Sequence, residues 1–291
     1  MPSDTAAAPA ETRSAMAAIL SGYTAEVTAR DRKGLDAAPE MMAAGSEVYI
    51  AAIPGETVER IVAAAAHLRQ HGLTPVPHIV ARNLESFAVL DDLLARLVGE
   101  AGLDRALVLG GDRDKPVGEF SSSLQLIETG VFQKHGIGRI NIACYPEGHP
   151  RVADAVLEQA RADKLRAAAA AGLEVGLISQ FCFDPKPIIA LAKRMRSLGV
   201  TAPYRVGVAG PAERSTLIKY ALMCGVGASM RALKERQDLA RSVMTGETPA
   251  ALLAEVGAAQ AANPALGICG VHFFTFGALA KSAQWADEQM R

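Results

Sequence analysis

The sequence predicts an α/β chain folded as a (β/α)8 TIM barrel, a single domain with extra helices before the last strand. Three observations carry this expectation. Eight short apolar runs rich in β-branched residues alternate with long Ala/Leu/Arg stretches of helical spacing. The run starts at 23, 47, 75, 105, 139, 175 and 204 lie roughly 24 to 36 residues apart, near one βα unit each. The last run waits until 268, leaving room for further helices between about 214 and 262. A doubly wound dinucleotide-binding sheet fits less well, because no run leads into GxGxxG and the Gly225-Val226-Gly227 fragment follows a helix.

Taken in order, residues 1–13 mix Ala, Pro, Ser and Thr with scattered charge and are expected as a flexible tail, with 14–291 forming the barrel. Strands are expected at Tyr23–Thr28, Glu47–Ala52, Pro75–Ala81, Arg105–Gly111, Arg139–Tyr145, Val175–Phe183, Tyr204–Gly210 and Ile268–Phe276. They are apolar on both faces, as buried parallel strands must be. Helices are expected at Val58–His71, Leu84–Ala101, Val152–Ala171 and Pro187–Leu198. Gly72, Gly102, Gly172 and Gly199 stand where each would be capped.

Composition bounds the function. Half of the 291 residues are hydrophobic and 21% are charged, too apolar for a disordered chain. Thirty basic residues against 31 acidic ones give no global attraction to nucleic acid or to an acidic membrane. Cys144, Cys182, Cys224 and Cys269 have no metal-ligand or CxxC spacing and sit in apolar runs, so buried free thiols and no metal site are expected. The chain opens without a basic region followed by an apolar stretch, and no run of 18 apolar residues escapes charge or glycine, so a cytoplasmic protein is expected. Ala-rich helical faces such as Ala153–Ala171 leave room for a homo-oligomer.

In such a barrel the chemistry belongs where strands end and βα loops begin. Read at those ends, the chain offers Glu26, His78, Asp112, Tyr145 with Glu147 and His149, Gln180 with Asp184, and Thr275. Singly, each has a plain structural role open to it, such as a solvated carboxylate, a hydrogen-bonded core histidine or a helix cap. Together they converge on one rim. Gly110-Gly111-Asp112 lets backbone N–H groups approach a ligand, with a carboxylate beside them. Tyr145-Pro146-Glu147-Gly148-His149-Pro150 holds an aromatic, an acid and an imidazole in a rigid turn. Ser179-Gln180-Phe181-Cys182-Phe183-Asp184 sets a carboxamide among aromatics, which suits a planar heterocycle. His272-Phe273-Phe274-Thr275-Phe276 concentrates aromatics in a chain where they make up only 5%.

These stretches resemble the methylenetetrahydrofolate reductase family. Leu109-Gly110-Gly111-Asp112 is similar to its L-R-G-D turn, Tyr145–Pro150 to Y-P-E-x-H-P, Ser179–Asp184 to T-Q-F-x-F-D, and His272–Thr275 to H-F-Y-T; Pro77-His78 matches its P-H. The order holds from about residue 23 to 285. The resemblance implies interconversion of 5,10-methylenetetrahydrofolate and 5-methyltetrahydrofolate with NAD(P)H, the folate being substrate and FAD the family's cofactor. It places the protein in one-carbon metabolism and methionine biosynthesis. By the same resemblance Glu26 is the acid that protonates N10, and Asp112 contacts the pterin and tunes the flavin electrostatically. Gln180, Phe181, Phe183 and Thr275 fall on the folate side. His78, Gly110, Gly111, Tyr145, His149 and Lys164 fall on the cofactor side.

The chain departs from the family chiefly at flavin-contacting positions. Around Glu26 it reads Ala25-Glu26-Val27-Thr28-Ala29-Arg30, without the family's prolines and most of its aromatics. The family arginine before G-D is Gly110 here, the second-strand threonine is replaced within Ile50-Ala51-Ala52, and N-R after the last motif is Gly277-Ala278. Flavin dependence is therefore expected to be weakened or absent. Two alternatives stand beside the reductase: a pterin-dependent methyltransferase barrel, which a Cys/His metal cluster would favour, and a folate-binding protein without catalysis.

Overall fold

The computed structural model describes residues 10–53, 55–224, 226 and 248–291. Strands β1 (Thr24–Thr28), β2 (Glu47–Ala51), β3 (Thr74–Val80), β4 (Arg105–Leu109), β5 (Arg139–Cys144), β6 (Glu174–Ser179), β7 (Tyr204–Ala209) and β8 (Ile268–Phe274) pair in sequence order, all parallel. The ring closes where Thr24 and Ala25 pair with His272 and Phe273. The (β/α)8 TIM barrel that the strand spacing predicts is the fold. Strand starts agree with the sequence to within about one residue, the margin of any boundary assignment. Most strand ends fall earlier than expected, because the chain leaves the sheet to build the rim. After β4 it turns at Gly111, with φ +98°, and after β6 it runs to Asp184, whose carboxylate caps the next helix by accepting from the Lys186 N–H.

The helices are α1 (Ala10–Leu20), α2 (Arg32–Met41), α3 (Val58–Gln70), α4 (Phe87–Ala101), α5 (Ser123–Glu128), α6 (Val131–Lys134), α7 (Asp154–Ala170), α8 (Pro185–Ser197), α9 (Arg214–Met223), α10 (Ala250–Ala262) and α11 (Leu279–Met290). Gly72, Gly102, Gly172 and Gly199 all take the positive φ expected of caps. The expected tail needs a correction. Residues 10–13 belong to α1, whose Met16, Ile19 and Leu20 are buried at i, i+3, i+4 spacing, and residues 1–9 lie outside the described residues. The α1 backbone lies so close to α10 that a Cβ on Gly257 would come within 2.8 Å of the Ala15 carbonyl oxygen. Of the extra helices expected before the last strand, α9 and α10 are described. Gly225 and residues 227–247 lie outside the described residues. Helix α2 is also new, hidden in the sequence by Gly34 and Pro39. The Asp31 carboxylate starts it by accepting from the Gly34 N–H, and it buries Leu35 and Ala38.

Alternation along each strand sends one set of side chains to the helices and the other to the barrel axis. Outward-facing Val27, Val48, Ile50, Ile79, Val108 and Ile142 join the main core beneath the helices. Tyr49, Val76, Leu107 and Ile178 form a separate cluster inside the barrel. A polar network pins the interior towards the strand starts. Asn141 Nδ2 donates to the Tyr49 hydroxyl (2.9 Å), which donates to Glu47 Oε2 (3.2 Å), and Arg105 donates to Glu47 Oε1 (2.6 Å). Gly176 makes space for it, since a Cβ there would lie 2.2 Å from Asn141 Oδ1. The floor is thus closed, and the strand ends are left for chemistry.

Candidate active site

Glu26 stands on β1 in register with Tyr49, on the axis-facing side of the barrel. Two imidazoles flank its carboxylate. His78 Nε2 of β3 lies 3.6 Å from Glu26 Oε2, and His272 Nε2 of β8 lies 3.9 Å from the same oxygen. The side chains are 17% exposed for Glu26, 10% for His78 and 1% for His272. Both Nε2 atoms are buried without a hydrogen-bond partner. Burial pulls the His78 pKa down from 6.5 to about 4, with the Glu26 charge opposing and His272 assisting. Near neutral pH His78 is therefore uncharged. Thr275, expected on the folate side, is buried, and its hydroxyl donates to the Glu26 carbonyl oxygen at 2.5 Å, tying β8 to β1 beside the carboxylate.

An aromatic wall faces this cluster. Phe181 is fully buried and packs against Phe183 (5.9 Å between centroids), Phe274 (5.2 Å) and Phe276 (5.4 Å). Phe276 adopts φ +50° and stacks on Tyr220 of α9 at 4.4 Å and 21°. Phe274 in turn meets His272 edge-on at 5.1 Å, so wall and imidazole form one surface. Gly207 permits this approach, because a Cβ there would sit 2.9 Å from the Phe274 ring. The Gln180 amide oxygen accepts from the Phe181 N–H at 3.0 Å, which fixes the carboxamide at the edge of the wall.

The β4 and β5 loops are built differently. Asp112 is 98% exposed, with the Arg151 guanidinium 3.8 Å from its carboxylate. Arg151 also donates to Asp114 (2.8 Å) and to the Asp112 carbonyl (2.9 Å), lacing one loop to the other. Tyr145 meets His149 edge-on at 5.3 Å. Burial, and then the Asp112 charge, push the Tyr145 phenol up to about 12. His149 Nδ1 accepts from the Arg151 N–H, and burial followed by the Arg151 charge lowers its pKa. Gly111 answers to packing, since a Cβ would lie 2.6 Å from Val80 Cγ1, whereas a Cβ on Gly110 would meet open space.

A flavin dinucleotide needs cations free to meet its two phosphates. Among the described residues, three arginines of the β3–β5 rim are already engaged, while Lys115 of the β4 loop stands exposed. Arg82 donates to the Ser121 and Arg113 carbonyls, Arg113 to Asn83 Oδ1, and Arg151 as above. Lys164 of α7 stands near the buried Cys144 thiol and Arg161, and its own burial lowers its pKa. A diphosphate at this rim would have to compete with the loop contacts of the three arginines. No group of three metal-ligating side chains occurs among the described residues.

The sequence signals did not single out Thr24, Tyr49, Tyr220 or Arg151, and marked Cys224 only as a buried thiol; of the four expected buried thiols Cys144 and Cys182 are buried, Cys224 is half-buried and Cys269 is exposed. Tyr220 and Cys224 lie on the helix after β7, where no motif marks them. Thr24, Tyr49 and Arg151 become visible only once the strand register is known. Outside the barrel, between α2 and α3, runs a groove of about 590 Å³ lined by Arg30, Arg32, Arg60 and His67. Its arginines are neutralised on the spot: Glu56 pairs with Arg30 (3.2 Å) and Arg60 (3.7 Å), and Asp36 with Arg32 (3.2 Å), while His67 Nε2 lies 3.5 Å from the same Asp36 carboxylate.

A parallel barrel with a carboxyl group set between imidazoles at its mouth, facing an aromatic wall, places these groups at the strand-end face where TIM-barrel enzymes keep their chemistry. The model of the methylenetetrahydrofolate reductase family matches residues 39–277, and the chain belongs to this family of folate oxidoreductases. Among solved structures it is similar to phosphonopyruvate hydrolase in complex with oxalate and Mg++, at 9% identity over 95% of this chain and 84% of that one, with a TM-score of 0.50. Dihydropteroate synthase from Thermus thermophilus is 16% identical over 91% of this chain and 92% of that one, with a TM-score of 0.47. The former likeness is one of fold alone, and the latter is too loose to carry weight.

Proposed function

We propose that the protein interconverts 5,10-methylenetetrahydrofolate and 5-methyltetrahydrofolate, with NAD(P)H and NAD(P)+ as the hydride couple and with little or no dependence on flavin. The observation that carries this reading is the Glu26 carboxyl, held between His78 and His272 and opposite the Phe181–Phe274–Phe276 wall.

In the reductive direction, Glu26 gives its proton to N10 of the folate. The C–N10 bond breaks, and its electron pair stays on N10 with that proton. The methylene carbon is left as an iminium on N5 and takes hydride from the nicotinamide, becoming the methyl group. The wall supplies a flat apolar surface for the pterin and excludes water from the cation. Gln180 and Asp112 supply acceptors for the pterin's ring and amino N–H groups. His78, uncharged near neutral pH, leaves the iminium free of a competing positive charge. In the oxidative direction the same groups run the steps backwards.

A visible spectrum and a folate-dependent NAD(P)H assay on one preparation test the reading. Expected are a protein without the flavin band and nicotinamide oxidation that requires methylenetetrahydrofolate. Folate binding without oxidation by either nicotinamide, with or without added FAD, would leave a binding protein. Nicotinamide-independent methyl transfer would leave a methyltransferase.

A further inference from the structure

His272 is the last motif histidine, and nothing in the mechanism above uses it. Its imidazole is fully buried at the closing seam of the barrel, paired through its backbone with Thr24. The Thr24 hydroxyl lies 2.9 Å from His272 Nδ1 and also donates to the Val271 carbonyl oxygen at 3.5 Å. A hydroxyl has one proton to give. Either the hydroxyl donates to Nδ1, or Nδ1–H donates to the hydroxyl while its own proton turns to Val271; only the second arrangement makes both contacts at once, and it leaves Nε2 as a bare acceptor. That bare nitrogen faces Glu26 Oε2 at 3.9 Å. The gap is too short for a bridging water, and a carboxyl shift of about 1 Å brings the pair to hydrogen-bond distance.

We propose that Thr24 and His272 form a directional arm that positions the Glu26 proton: Thr24 fixes the Nδ1–H tautomer, and Nε2 accepts from the Glu26 O–H. The inference rests on the acid role given to Glu26 above. The arm favours Glu26 as an acid, because a carboxylate would face a lone pair rather than a donor. Other groups face the same cluster. His78 of β3 stands on the other side of Glu26, and Tyr49 of β2 packs edge-on against the His272 ring at 4.6 Å. The Cys224 thiol at the end of α9 feels the Glu26 charge, and burial above all pushes it up to about 11. His78 and Cys224 are therefore uncharged near neutral pH, and Tyr49, raised by burial, is neutral too.

Ring-nitrogen NMR of the whole protein at neutral pH reads the tautomer directly, whether or not folate is turned over, so this inference and the reductase reading fail separately. The expected result is the Nδ1–H tautomer at His272. Thr24→Val keeps the shape and removes the hydroxyl, so the ring should change to Nε2–H. In folate-dependent turnover kcat should fall roughly tenfold with KM unchanged, the size of one lost hydrogen bond. The limb of the pH–rate profile that reports loss of the acid should move to lower pH, and Thr24→Ser should restore tautomer, rate and profile. An Nε2–H or doubly protonated His272 in the native protein would overturn the proposal. So would a Thr24→Val protein with an unchanged tautomer and pH profile.

Discussion

On the β1–β3–β8 side of the mouth the reactive groups are held by one another inside the barrel; on the β4–β5 side they stand in loops tied to each other and to the segment after β3. Glu26, His78 and His272 are mostly or wholly buried, against one aromatic surface. Asp112 is almost fully exposed, and Arg151 spends its guanidinium joining two loops. Strand positions fix a side chain to within the pleat of the sheet, while loop positions depend on what the loop meets. The buried side is thus preorganised for proton transfer. The exposed side leaves Asp112 and half of Arg151 to solvent.

The comparison breaks most decisively at Glu26. Glu26→Gln should lower folate turnover by about 100-fold or more, the usual contribution of a positioned acid, while folate affinity stays within a few-fold. Steady-state rates beside equilibrium binding check this, and surviving turnover would place the acid elsewhere. Next in size is the pH response of His78. The folded state keeps its imidazole uncharged down to about 4, whereas the unfolded chain takes up a proton below 6.5. Stability should therefore fall as pH drops from 6.5 towards 4, by up to about 1.4 kcal/mol per pH unit from this group, with no further loss below that window. Denaturant unfolding across that range reads it, and His78→Gln should flatten the slope.

Smaller effects are expected on the loop side. Gly111→Ala combines φ +98° with a Cβ only 2.6 Å from Val80, so it should cost about 2 kcal/mol of stability, seen as a lower denaturation midpoint. The smallest effect is that of Arg151→Ala. Its half-exposed pairs with Asp112 and Asp114 should be worth under about 1 kcal/mol to the free protein, while protease cutting in the β4 and β5 loops should rise. A large loss of stability there would show that the loops are preorganised after all.

The same division governs what the sequence made legible. The eight strands were readable because buried parallel strands leave long apolar runs, and the capping glycines because positive φ selects them. The rim residues Glu26, His78, Asp112, Tyr145, His149 and Gln180 were visible as polar side chains at strand ends. Their arrangement was not. Thr24 reads as an ordinary β-branched strand residue until closure of the ring sets it beside His272. Arg151, one residue past the Tyr145–Pro150 motif, gains meaning only from two carboxylates nearly forty positions earlier. Helix α2 escaped notice because Gly34 and Pro39 speak against a helix locally, and burial of Leu35 and Ala38 overrides them.

The central claim, hydride transfer between nicotinamide and the folate carbon at the Glu26 mouth, is tested most directly by isotope. NADH or NADPH labelled with deuterium at either C4 position is turned over with methylenetetrahydrofolate, and the methyl group of the product is read by mass spectrometry. One of the two labelled faces should deliver its deuterium intact into the methyl group. A methyl group carrying only solvent hydrogen, or no folate-dependent oxidation at all, would contradict the account.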